Sequence, residues 1–121
     1  MIAQPTEEQE QRVVMQWRDL MMGRYPCLRL LIHIPNGGLR SKSEAVRFRL
    51  LGVRAGVSDL FLPVARHDYH GLWIEMKRQK GGKLSKEQKE WLDEMTEQGF
   101  LAVRCDGAKE AIEVLEGYVK Q

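Results

Sequence analysis

Ser58-Asp59-Leu60 and Leu72-Trp73-Ile74-Glu75-Met76-Lys77 are two short runs whose patterning predicts strands. In the second run Trp73, Glu75 and Lys77 share one face and Leu72, Ile74 and Met76 the other, because successive side chains of a strand point to opposite sides. Leu60 to Val64 forms the first strand, ending near Arg66, and His67-Asp68-Tyr69-His70-Gly71 is a hairpin-type connection between the two. If the strands pair as a hairpin, Asp59 and Glu75 converge at its open end.

Charges set amid Leu72, Trp73, Ile74 and Met76 are expensive to bury unless they are paired or bound to a metal. Glu75 and Lys77 lie roughly 7 Å apart at their backbones, on one face. Two convergent carboxylates repel each other, and a divalent cation relieves that repulsion. Hard oxygen ligands suit Mg²⁺ or Mn²⁺. The adjacent lysine supplies positive charge near an attacking water or a developing phosphorane. Two acids, a lysine and a hard cation form a set suited to hydrolysing a phosphodiester. A glutamate and a lysine two apart on a strand also arise as an ion pair on a solvated face, so the surroundings decide. Gly52 and Gly56 bracket a tight turn that places Asp59 at the entry to a strand. A helix that starts after Ser85 aims its N-terminus at the same region, and such an end attracts phosphate.

Working outward, Thr6 caps a first helix that carries Val13, Val14, Trp17, Leu20 and Met21 at helical spacing and stops at Gly23. Leu28 to Ile34 reads as a strand, and Pro35-Asn36-Gly37-Gly38 as a loop. Ser43 to Leu51 is a short helix with Val46, Leu50 and Leu51 inward and Arg47 and Arg49 outward. Gly81-Gly82 is a turn. Ser85 and Gln88 form a capping box at the start of a long helix with the stripe Trp91, Leu92 and Met95, ended by Gly99. Phe100 to Arg104 is a fourth strand. Asp106 or Gly107 opens a last helix with the stripe Ala111, Ile112, Leu115 and Val119. The predicted order is α, β, short α, β, β, α, β, α, with no internal repeat and no low-complexity linker.

The 121 residues suit a single domain, 1–121. With 43% hydrophobic and 30% charged residues, wholesale disorder is excluded. No apolar run reaches the roughly 18 residues of a membrane span, and the polar, acidic Met1 to Gln11 is no signal peptide. Cys27 and Cys105 form no CxxC motif and read as reduced, buried thiols of a cytoplasmic protein. The formal charge of +2 conceals an asymmetry. Arg24, Arg29, Arg40, Lys42, Arg47, Arg49 and Arg54 face Glu44 alone between residues 24 and 54, and both flanking segments are mildly acidic. Such a block predicts a local surface for a polyanion, or a solvated face paired with acids elsewhere.

Four pieces carry a resemblance in the right order: His33-Ile34-Pro35-Asn36-Gly37-Gly38; Gly52 and Gly56 followed by Asp59-Leu60; Ile74-Glu75-Met76-Lys77; and Leu84-Ser85 followed by Gln88, Trp91 and Leu92. Together they resemble the VRR-Nuc domain, a branch of the PD-(D/E)xK nuclease superfamily, over roughly residues 6 to 105. Ser58 stands where the family has a proline before the first catalytic aspartate, a residue that shapes the turn and does no chemistry. The resemblance implies an α/β (α+β) fold with a restriction-endonuclease-like core, a mixed four-stranded sheet flanked by helices. It implies metal-dependent cleavage of DNA, with Asp59 and Glu75 as Mg²⁺ or Mn²⁺ ligands and Lys77 orienting or activating water. A first-helix glutamate completes the family's site. Glu7, Glu8 and Glu10 are the candidates, and Glu10 is preferred as a ligand because it shares the inward face with Val13 and Trp17. Gln88 resembles the glutamine that supports the site. His33 and Asn36, beside the basic block, are expected to touch phosphate or substrate together with Arg40, Lys42, Arg47, Arg49 and Arg54. His67 and His70 are expected to be solvent-exposed and Trp91 to be core.

Small stand-alone members of that family are associated with phages and mobile elements and act as homodimers on branched DNA such as four-way (Holliday) junctions. The resemblance thus implies a cytoplasmic nuclease of a bacterial or phage-infected cell, with DNA and a second copy as partners and no membrane. Two other classes compete: a DNA-binding module on an inactive nuclease fold, and a metal-independent protein-interaction domain. Retention of Asp59, Glu75 and Lys77 together argues against the first, and the basic block against the second.

Overall fold

Among the described residues, Leu72–Lys77 is the one strand buried along its whole length, and the other elements are arranged around it. The computed structural model describes residues 3–35 and 41–120. In chain order the elements are α1 (Glu7–Met21), a short 3-10 helix (Pro26–Leu30), β1 (Ile32–His33), α2 (Lys42–Leu50), β2 (Leu60–Leu62), β3 (Leu72–Lys77), α3 (Lys86–Glu97), β4 (Leu101–Asp106) and α4 (Ala108–Val119). The four strands make one sheet in the order β1-β2-β3-β4. β2 is antiparallel to both β1 and β3, while β3 and β4 are parallel and joined through α3. The sheet is therefore mixed, with a restriction-endonuclease-like architecture, and the hairpin expected between the two strands is formed.

The alternation in β3 sorts the two layers. Leu72, Ile74 and Met76 join Leu60, Leu62, Val14, Ala111, Leu115 and Val119 in the main core, beneath α1 and α4. Complete burial of a leucine or isoleucine contributes about 1.5–3 kcal/mol. Trp73, on the other face, stacks on Phe61 with ring centroids 4.1 Å apart and meets Trp91 of α3 edge-on at 5.2 Å. Trp91, expected in the core, is half-buried against Trp73 and lies outside the main core cluster. The capping boxes at Thr6 and Ser85 both form. Gly56 has φ +87°, and a Cβ there would lie 2.4 Å from the Glu87 backbone. The turn before Asp59 thus presses directly on the first turn of α3, and only glycine permits it.

Three expectations are corrected. Leu28 to Ile34 is not one strand. Pro26 at the start of the 3-10 helix fixes the turn, Leu28 and Leu31 both point inward at that spacing, and only Ile32 and His33 remain extended. α2 does not bury Val46, Leu50 and Leu51, which are 44%, 83% and 72% exposed. No residue of α2 is buried among the described residues. The last strand runs two residues further than expected, to Asp106, because parallel pairing with β3 extends to Lys77. Asn36 and Arg40 lie outside the described residues.

Cys27 and Cys105 are free, and burial pushes the Cys105 thiol up to about 12. His67 and His70 are exposed, although His67 Nε2 lies 3.0 Å from the Tyr118 carbonyl. Among the described residues no helix is long and apolar enough to cross a membrane.

Candidate active site

Antiparallel pairing of Leu60 with Ile74 sets Asp59 beside Glu75 at the end of the hairpin. Asp59 is held from three directions. Its Oδ2 accepts from the Met76 backbone N–H at 2.7 Å, and its carbonyl accepts from the Ile34 N–H at 2.9 Å. The same carbonyl lies 2.8 Å from His33 Nδ1, which must carry the proton because a carbonyl only accepts. In neutral His33 this leaves Nε2 as a free acceptor.

Glu75 is 2% exposed. Its Oε2 accepts from Gln88 Nε2 at 3.3 Å, while Oε1 is buried without a hydrogen-bond donor. Burial first, and then the adjacent Asp59 carboxylate, push the Glu75 carboxyl from 4.5 up to about 9, against the opposing pull of Lys77. Lys77 is 5% exposed. Its Nζ donates to Gln88 Oε1 at 3.0 Å and lies 3.9 Å from Glu7 Oε1. Gln88 Oε1 also accepts from the Ser85 backbone N–H at 2.9 Å. The capping glutamine is therefore fixed by its helix and touches both charges of β3. One side chain thus both caps α3 and contacts Glu75 and Lys77.

Glu10 is inward as its spacing suggests, at 4% exposure, but it is not brought to this pair. Its Oε1 accepts from the Ala108 backbone N–H at 3.0 Å and its Oε2 from Gln79 Nε2 at 2.9 Å. A carboxylate is favourable at a helix N-terminus, and here Glu10 ties α1 to the start of α4. This corrects the preference for Glu10 as a ligand: Glu7, one turn earlier, stands beside Lys77. Helical spacing could show that Glu10 is buried, but not that the start of α4 awaits it. Gln79, Glu10's other partner, gave no signal in the sequence.

Among the described residues no group of three His, Cys, Asp or Glu side chains could hold a metal ion. The carboxylate pair fits a hard divalent cation nonetheless. Mg²⁺ keeps several waters and is commonly held by one or two carboxylates plus substrate phosphate. The buried Glu75 Oε1, facing a second carboxylate and lacking a donor, calls for a positive partner. Beside the pair opens a cleft of about 560 Å³ that reaches Asp59, Met76, Glu7, His33 and Pro35.

Of the basic block, Lys42, Arg47 and Arg49 are exposed on α2. The Arg47 guanidinium lies over the Phe48 ring at 5.3 Å. Arg54 is drawn to α3, its guanidinium 5.3 Å from the Trp91 ring centroid and 4.0 Å from Glu94.

Comparison with known proteins agrees with this architecture. The family model of the VRR-NUC domain matches residues 2–109. A solved structure described as "VRR_NUC domain protein" is 31% identical, covers 97% of this chain and 90% of its own, and superposes with a TM-score of 0.82. No curated protein matches. With a family model spanning nearly the whole chain and a matching fold at that identity, the chain belongs to the VRR-NUC family of PD-(D/E)xK-related nuclease domains.

Proposed function

We propose that this protein is a Mg²⁺- or Mn²⁺-dependent endodeoxyribonuclease that acts on branched DNA, such as four-way junctions, as a homodimer. The observation that carries the reading is the half-buried Asp59 beside the buried Glu75, with Glu75 Oε1 unpartnered and Lys77 clamped alongside by Gln88. Asp59 and Glu75 would hold the cation, with Glu7 close enough to Lys77 to complete the acidic set. Such a cation supplies Lewis acidity toward a phosphodiester oxygen when bound.

The chain's own groups do the rest. Asp59 is anchored by the Met76 N–H. Gln88 orients Glu75 and Lys77 together. Lys77 Nζ, in a largely desolvated position, offers positive charge to the phosphate as negative charge builds on it. His33 Nε2 presents an acceptor at the cleft. Lys42, Arg47 and Arg49 offer exposed cations to the DNA backbone, and a second copy related by two-fold symmetry would place two sites on two strands.

The test is cleavage of a four-way junction by the purified protein with Mn²⁺, with and without chelator. Nicking that stops on chelation supports the reading, and undiminished nicking in excess chelator overturns its metal requirement. Replacing Arg47 and Arg49 together with Ala should weaken junction binding and flatten its salt dependence by roughly two phosphate contacts. An unchanged slope in a salt titration would place the DNA elsewhere on the protein.

A further inference from the structure

A second cleft, of about 600 Å³, shares Glu7 and Glu8 with the first and continues along Lys77 to Arg78, Gly82 and Lys83 in the turn after β3. The turn opens a second basic run in the sequence. Residues 78 to 89 hold Arg78, Lys80, Lys83, Lys86 and Lys89 against Glu87 alone, and all five cations are exposed. The two acids at the α1 end of the cleft each have a cation near. Glu7 Oε1 lies 3.9 Å from Lys77 Nζ, and Glu8 Oε2 lies 3.8 Å from Arg12. The turn side is therefore the side that favours an anion.

That turn is held from several directions. Gln4 bonds twice to the Lys80 backbone, its Nε2 donating to the carbonyl at 3.0 Å and its Oε1 accepting from the N–H at 3.1 Å. Arg104 Nη2 donates to the Gly82 carbonyl at 2.6 Å, and Arg78 Nη2 donates to the Gly81 carbonyl at 3.2 Å. Gly82 presses on the Lys77 stem, where a Cβ would lie 2.9 Å from Lys77 Cβ. The backbone that carries Arg78 and Lys83 is thus set in place beside Lys77, and binding there costs little ordering. Arg78 spends one donor on a neutral carbonyl, which leaves its charge and its other N–H groups for a ligand. Arginine and lysine both suit a phosphate, the first in two bonds and the second as a point charge.

We propose that this second cleft seats the backbone phosphate next to the one that is cut, with Arg78 and Lys83 as its cations. A phosphate contact fixes the register of a strand without reading its sequence, so the turn sets which bond lies against Lys77. The proposal rests on the nuclease reading for the identity of the reacting phosphate.

The experiment uses the full chain and a four-way junction. In a salt titration without divalent metal, Arg78→Ala with Lys83→Ala should reduce the slope of log affinity against log salt by about 1.8, the value for two lost phosphate contacts. Arg78→Lys with Lys83→Arg, which keeps both charges, should keep the wild-type slope. An unchanged slope for the alanine variant, folded by circular dichroism, overturns the proposal. So does a slope that the charge-keeping variant loses as well, because Arg78 would then only support the turn. Single-turnover cleavage in Mn²⁺ locates the cut, and a neutral methylphosphonate is then placed at the phosphate on either side of it. At one of the two positions it should slow the wild type and add nothing in the alanine variant. Equal slowing of both proteins at both positions overturns the proposal. Wild-type protein that cuts no junction in Mn²⁺ overturns the nuclease reading, whereas the salt titration needs no cutting and still decides whether the turn holds phosphate.

Discussion

Lys77→Ala should slow single-turnover cleavage of a four-way junction by on the order of 10²-fold or more, the usual scale for a lost electrostatic stabiliser. Lys77 is buried yet points its ammonium at Gln88 Oε1 and toward Glu7, not into hydrocarbon. Its charge acts mainly where negative charge develops, so the loss belongs in the rate constant. Junction affinity should change far less, because the exposed cations of α2 remain. Folding should survive, since Gln88 Oε1 keeps its bond from the Ser85 N–H. Cleavage at the wild-type rate by a folded Lys77→Ala protein would make Lys77 a structural group held by Gln88 and Glu7 and remove the main support for the nuclease reading. Lys77→Arg provides a useful companion. It keeps the charge, but a planar guanidinium does not reproduce the compact ammonium held by Gln88 Oε1 and Glu7, so only partial rescue is expected.

Glu75→Gln should abolish cutting and, in metal-free protein, raise the melting temperature. The glutamine keeps the shape of the side chain and removes a carboxyl whose ionisation is opposed by burial and by the neighbouring Asp59 carboxylate. The pH dependence follows from the direction of the shift. Below about 4.5 the carboxyl is protonated in folded and unfolded chains alike, and its protonation gives no slope. Between 4.5 and about 9 the folded chain keeps a proton that the unfolded chain has released. The native state then binds more protons, so stability falls as pH rises. Metal-free wild-type protein should lose stability across that window. Glu75→Gln should flatten the fall, with a gap in melting temperature that widens from pH 5 to pH 8, at about 4 °C per kcal/mol for a chain of this size. Parallel melting curves for the two proteins at every pH would show that Glu75 is not held in its neutral form. Adding Mn²⁺ should narrow the gap, because a cation that binds only the native state stabilises the wild type.

Local pattern alone carried a great deal here. Alternation in Leu72–Lys77 and the capping boxes at Thr6 and Ser85 are consequences of side-chain direction and of hydrogen bonds within a few residues, and they stand in the structure as expected. Hairpin pairing followed from the same patterns, and with it the meeting of Asp59 and Glu75. Where a residue's role depends on a segment far away in the chain, pattern was not enough. Spacing made Glu10 inward, but its partner is the N-terminus of α4, 98 residues later. That capture hands the position beside Lys77 to Glu7, and nothing short of the packing of α1 against α4 reveals it. Val46, Leu50 and Leu51 look like an inward stripe, yet α2 stands off the core. Hydrophobic periodicity reports that a face is apolar, while only the tertiary arrangement decides whether another element lies against it. Gln88 unites both levels: the sequence determined its place in a local cap, and the approach of α3 to β3 decided that the same amide grips Glu75 and Lys77. The reason is physical: a cap is closed by bonds within one helical turn, whereas a buried charge takes whichever partner the folded chain brings within reach.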